Sequence, residues 1–120
     1  MTRPRIAYVA AVLFLPACAG VLGGELGPAR GEPPIWDKAL HFIAYFVLSA
    51  LIALALQAPR NVLRGMAGLI TMGAVLELVQ GLVGRDMSAW DELANTLGVI
   101  AGAVVAWAVI AVLVARNPSR

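Results

Sequence analysis

A chain of 120 residues, 61% of them hydrophobic and only 13% charged, has the length of one domain. It carries about half the charge of a soluble domain, where roughly a quarter of residues are charged. The net charge of +2, with Lys and Arg spread over segment ends, excludes a nucleic-acid footprint, and the single cysteine, Cys18, excludes a disulfide framework and a cysteine-based metal site. What is left is an all-α, integral membrane four-helix bundle, 1–120 forming one membrane domain.

Four apolar runs are predicted to span the bilayer, at about 6–22, 39–57, 66–83 and 92–115. Each is apolar on most sides, as a lipid-facing helix must be. Breakers separate them. Gly23-Gly24, Pro28, Gly31 and Pro33-Pro34 fill the first connection, Pro59 breaks the second, and Gly84 opens the third. The first run has a rival reading. Its arginine-rich start and Leu15-Pro16-Ala17-Cys18 are similar to a signal peptide, even a lipoprotein one. Proline at that place is unusual in such peptides, and an uncleaved span is the expectation adopted.

Charge then orients the bundle. Arg3 and Arg5 precede the first run, Arg60 and Arg64 lie between the second and third, and Arg116 and Arg120 follow the fourth, with no acid among them. The acids, Glu25, Glu32, Asp37, Asp86, Asp91 and Glu92, gather in the other two connections beside Arg30, Lys38 and Arg85. The positive-inside rule places both termini in the cytoplasm and 23–38 and 84–91 outside. Trp36 and Trp90 fall at the outer helix starts, where an interfacial aromatic belt is expected.

Ionisable residues inside such helices are costly, about 2.5–3.5 kcal/mol each at the bilayer centre. Here they fall on helical stripes toward one side. Asp37, His41 and Tyr45 recur every four residues, with Lys38 beside them. Glu77 and Gln80 form a second stripe with Gly73, Gly81 and Gly84. Asp91 and Asn95 form a third with Gly98 and Gly102, whose spacing lets a neighbouring helix approach closely. Facing one another, the stripes would make an outward-open pocket. His41, Glu77, Gln80 and Asn95 would be its floor, and Asp37, Lys38, Arg85 and Asp91 its rim. Each residue also has a structural reading. Asp37 and Asp91 suit helix starts, the latter within a Ser88-to-Asp91 capping box. Gln80 and Asn95 suit interhelical hydrogen bonds, Tyr45 suits packing, and Arg85 suits head-group anchoring. Glu77, as a buried carboxylate, demands a cationic partner or a raised pKa, and His41, Lys38 and Arg85 are the choices of partner.

Three functions fit. Lys38 and Arg85 could hold the anionic group of a lipid-linked or acylated ligand. His41 and Glu77 could instead act as a general acid–base pair on a phosphorylated lipid. The stripes could also be helix glue in a structural partner of a larger membrane complex. No cofactor is expected. One histidine with scattered acids lacks zinc-ligand spacing, so no metal is expected either.

The order Asp37-Lys38-x-x-His41-Phe42-x-x-Tyr45, then Glu77-x-x-Gln80, Arg85 and Asp91-x-x-x-Asn95-x-x-Gly98 resembles the VanZ-like family of small bacterial membrane proteins. The resemblance covers about 37–102, with a compatible first span. It implies residence in the bacterial cytoplasmic membrane, an extracytoplasmic pocket, and a role in the cell envelope. The family's namesake is associated with low-level resistance to teicoplanin, a lipoglycopeptide acting on cell-wall precursors. Membrane lipids, a lipid-linked cell-wall precursor or a lipoglycopeptide are the partners this implies.

Overall fold

A computed structural model describes residues 2–28, 31 and 34–117. Arg30, Glu32 and Arg120, used above to orient the chain, lie outside the described residues, as does Pro33. The fold is all-helical: α1 Arg3–Leu26, α2 Pro34–Leu56, α3 Pro59–Leu82 and α4 Ala89–Arg116. All four are long and apolar enough to cross a membrane. At helical rise α4 alone reaches about 42 Å, and the molecule is an elongated bundle of 55 × 24 × 22 Å.

Every helix starts before the apolar run that announced it. Proline is the main reason. Pro4 and Pro59 occupy first-turn positions, where the missing N–H has no helical partner to lose and the fixed φ favours entry. Pro59 therefore starts α3 rather than merely ending α2. The turn between them is only Gln57 and Ala58, with Gln57 at φ 57°. Gly23-Gly24 likewise does not stop α1, which continues to Leu26 and carries Glu25 into a helix instead of the first loop.

The most extensive helix pair is α2 with α4. Gly98 and Gly102 make it possible. A Cβ at Gly98 would press on the Phe42 carbonyl, and one at Gly102 on the Phe46 carbonyl. The two backbones therefore touch, as small-residue spacing permits. Fully buried Ser49 donates to the Val99 carbonyl at 2.6 Å across the same seam. Tyr45, Leu48, Leu69 and Val99 form one buried cluster, and Ala53, Val62, Ala103 and Ala106 form a second. The first helix packs on α2 and touches α3 only lightly. At its start Arg3 donates to Gln57 Oε1 at 3.1 Å, and Gln57 donates back to the Arg3 carbonyl at 3.0 Å. That exchange joins the start of α1 to the α2–α3 turn at one end of the bundle. The polar residues meet at the other.

Candidate functional site

His41 is the centre of the polar end. One turn into α2 beyond Asp37, it is more than nine-tenths buried. Its Nδ1 lies 3.0 Å from Asn95 Oδ1 of α4. Asn95 is fully buried and donates its own amide to Glu92 Oε2 at 3.1 Å. That second bond orients the Asn95 amide, so Oδ1 accepts from His41 and Nδ1 carries the proton. Gly73 of α3 makes room for the pair: a Cβ there would sit 2.6 Å from Glu92 Oε2 and 3.1 Å from Asn95 Nδ2.

Carboxylates surround the ring. Glu25 Oε1 of α1 lies 3.7 Å from Nδ1. On the opposite edge, Nε2 lies 3.9 Å from Asp37 Oδ2 and 3.8 Å from Asp91 Oδ2. Lys38 pairs with the other oxygen of Asp91 at 3.1 Å. Buried Asp91 is thus more than a cap, although Ser88 does act as the N-cap of α4, its hydroxyl accepting from the Asp91 N–H.

Two expectations are corrected here. Of the two ways expected to accommodate Glu77, the cationic partner is not found: none of His41, Lys38 and Arg85 pairs with it among the described residues. Its Oε2 accepts the Ser88 backbone N–H at 3.0 Å, and its Oε1 is buried without a hydrogen bond. The reason is position: α3 faces the start of α4, where free amides point outward and favour an anion. Glu77 thereby takes the place that an acid of α4 itself would hold in a reciprocal capping box. The second correction concerns the pairing of His41 with Glu77. Glu25, not Glu77, is the glutamate placed against His41.

Arg85 lines the cavity and has a structural task besides its expected rim position. Its Nη1 donates to the carbonyls of Glu25 and Gly27, the latter at 3.0 Å. Gln80 donates to the same Glu25 carbonyl at 2.8 Å. The end of α3 therefore closes the last turn of α1, supplying donors to carbonyls that have no helical partner. Nε and Nη2 of Arg85 make no hydrogen bond among the described residues.

A cavity of about 390 Å³ opens between α1 and α2. Its long wall is apolar, formed by Ala17, Gly20, Val21, Ile43, Ala44 and Val47. Its polar end is formed by Glu25, His41, Gln80 and Arg85. Both Glu25 oxygens and the Tyr45 hydroxyl are buried short of a well-formed hydrogen bond among the described residues, and the two side chains lie close enough to interact with each other. Of the sequence-predicted residues, His41, Gln80 and Arg85 line this cavity. Asp37, Lys38, Asp91 and Asn95 gather around His41 beside it, and Tyr45 and Glu77 are buried behind. Glu25 and Glu92 were not anticipated as site residues. The phase of Phe14, Ala17 and Val21, carried forward one turn, reaches Glu25, and that signal was hidden by the glycine pair.

Comparison of the chain with known proteins gives no match to any family model, curated protein or solved structure.

Proposed function

We propose that the chain is a VanZ-like, multi-pass protein of the bacterial cytoplasmic membrane whose outer-face cavity binds an anionic lipid-linked or acylated ligand. Contribution to glycopeptide (teicoplanin) resistance is the role this reading carries. Membrane insertion is supported by the outward-facing side chains. Leu63, Leu78, Leu82, Val104 and Val112 are each more than half exposed, an apolar surface that water does not tolerate at this extent. Orientation rests on the arginines. Arg3, Arg5, Arg60, Arg64 and Arg116 belong to the end away from His41, which the positive-inside rule assigns to the cytoplasm. Trp36 and Trp90, exposed at the His41 end, suit the opposite interface.

The observation that carries the ligand reading is the division of the cavity. An apolar wall along two helices suits an acyl or prenyl chain. The N–H groups of Arg85 that have no partner among the described residues suit a phosphate or carboxylate, and arginine offers these as a planar fork. The Glu25 carboxylate at the polar end, with His41 beside it, suits hydroxyl or amine donors on the same head group. Lys38, already paired with Asp91, serves the ligand less directly than Arg85.

Native mass spectrometry tests this. Wild type, Lys38→Ala and Arg85→Ala are compared against envelope lipids, a lipid-linked cell-wall precursor and a lipoglycopeptide. Selective retention by wild type and Lys38→Ala, lost in Arg85→Ala, is expected. Equal retention by all three proteins contradicts the reading. A second reading, that the polar residues are helix glue, is favoured by the bonds of α2 to α4 through His41–Asn95 and Lys38–Asp91. It predicts no selective ligand at all.

A further inference from the structure

The edge of His41 turned away from the cavity has no use in the ligand reading. With Nδ1 committed to Asn95, Nε2 is left as the ring's free donor atom, within 3.9 Å of Asp37 Oδ2 and 3.8 Å of Asp91 Oδ2. All three groups are potential electron donors. Nε2 makes no hydrogen bond among the described residues, although His41 is more than nine-tenths buried. Distances of 3.8 and 3.9 Å are too long for hydrogen bonds, which lie near 2.7–3.2 Å. They are close to the separation of two atoms ligating a common ion, about 3–3.5 Å for bonds of 2.0–2.2 Å. One ligand atom from each of Asp37, His41 and Asp91 lies within 4.8 Å of the others.

We propose that Asp37, His41 and Asp91 bind a divalent transition-metal ion, Zn²⁺ or Mn²⁺, on the side of His41 away from the cavity. Imidazole nitrogen with two carboxylates suits these ions, whereas Mg²⁺ and Ca²⁺ take oxygen ligands almost alone. Two carboxylates balance the double charge. The Asn95–Glu92 pair performs the orienting task that a metal-binding histidine needs, fixing the tautomer that leaves Nε2 free. Asp37, about one-third exposed, leaves a path for the ion. Lys38 competes with it for Asp91, because its ammonium already holds Oδ1. The spacing rule that argued against zinc considers neighbours along the chain. These ligands come from two helices that Gly98 and Gly102 bring together.

The test is calorimetric titration of chelator-treated protein in detergent with ZnCl₂, MnCl₂ and MgCl₂, with native mass spectrometry to count bound ions. Wild type is expected to bind one Zn²⁺ or Mn²⁺ per chain and to ignore Mg²⁺. Asp37→Asn and His41→Gln should each weaken binding by more than about tenfold, and Asn95→Ala, which frees the ring, by about tenfold or more. Lys38→Met should tighten it. Asp37→Asn is the safest variant because that side chain is only partly buried, and circular dichroism checks its fold. No saturable Zn²⁺ or Mn²⁺ binding by wild type overturns the proposal. So does binding unchanged in Asp37→Asn and His41→Gln, which would mark an adventitious ion only. Metal titration without lipid and lipid retention without metal can fail independently, so the two readings are separable.

Discussion

The 3.0 Å bond between His41 Nδ1 and Asn95 Oδ1 joins the two most closely packed helices at the polar end of the bundle. Asn95 is fully buried and holds Glu92 with its other amide atom. Asn95→Leu therefore leaves polar atoms on both neighbours without partners. Such a loss costs about 1–3 kcal/mol, and thermal unfolding in detergent should show a lower midpoint. Asn95→Asp would place another carboxylate beside Glu92 and should destabilise as well. A midpoint unchanged in both variants would mean that water replaces the bond.

The contact of α2 with α4 predicts a second effect. Gly98→Ala and Gly102→Ala each drive a methyl group into a carbonyl of α2. Backbone cannot step aside as a flexible side chain can, and each should cost about 1–3 kcal/mol. Gly68→Ala is the control, since a Cβ there meets nothing within 4 Å. Thermal midpoints of the three variants check the ranking.

Glu77 gives a third. Glu77→Gln keeps a side-chain oxygen for the Ser88 N–H, whereas Glu77→Leu removes it. Losing a helix-start acceptor costs about 0.5–2 kcal/mol. Leu should therefore lower the unfolding midpoint more than Gln. If Gln proved as damaging as Leu, the carboxylate charge rather than the hydrogen bond would be the important property.

Arg85 gives a fourth. It closes the last turn of α1 with two carbonyl bonds, beside the single bond from Gln80. Arg85→Ala should increase amide hydrogen exchange over 20–28 while leaving 95–106 protected, because α4 is held by α2. Hydrogen exchange read by mass spectrometry separates local from global opening. Uniform loss of protection would contradict this division.

The helices themselves were legible, because a helix able to cross a membrane needs a long apolar run and the chain has four. Their ends were less so. Pro59 serves equally as a stop for α2 and a start for α3, and only the two-residue turn decides. Glu25 was hidden for a similar reason: Gly23-Gly24 reads as a loop, but α1 continues through it. The stripe of Asp37, His41 and Tyr45 and that of Asp91 and Asn95 were correct as faces, since helical period alone determines them. Their partners were not readable in the same way. Glu77 bonds to a backbone amide, which has no letter in the sequence, and Arg85 bonds to carbonyls, which have none either. Asp91 read as a rim residue and, because it stands at a helix start, equally as a cap. Its pairing with Lys38 and approach to His41 depend on how closely Gly98 and Gly102 let the two helices meet.

The most direct test of the ligand-binding account uses Gly20. It lies on the apolar wall of the cavity, and a Cβ added there meets nothing within 4 Å. Gly20→Phe should fill the cavity without disturbing the helix contacts. Native mass spectrometry of wild type and Gly20→Phe, each with a lipid-linked precursor and with the same head group lacking its chain, is the measurement. The account predicts that wild type retains the lipid-linked form over the chainless one, and that Gly20→Phe loses it at an unchanged unfolding midpoint. Retention of the lipid-linked form by Gly20→Phe at the wild-type level would contradict it.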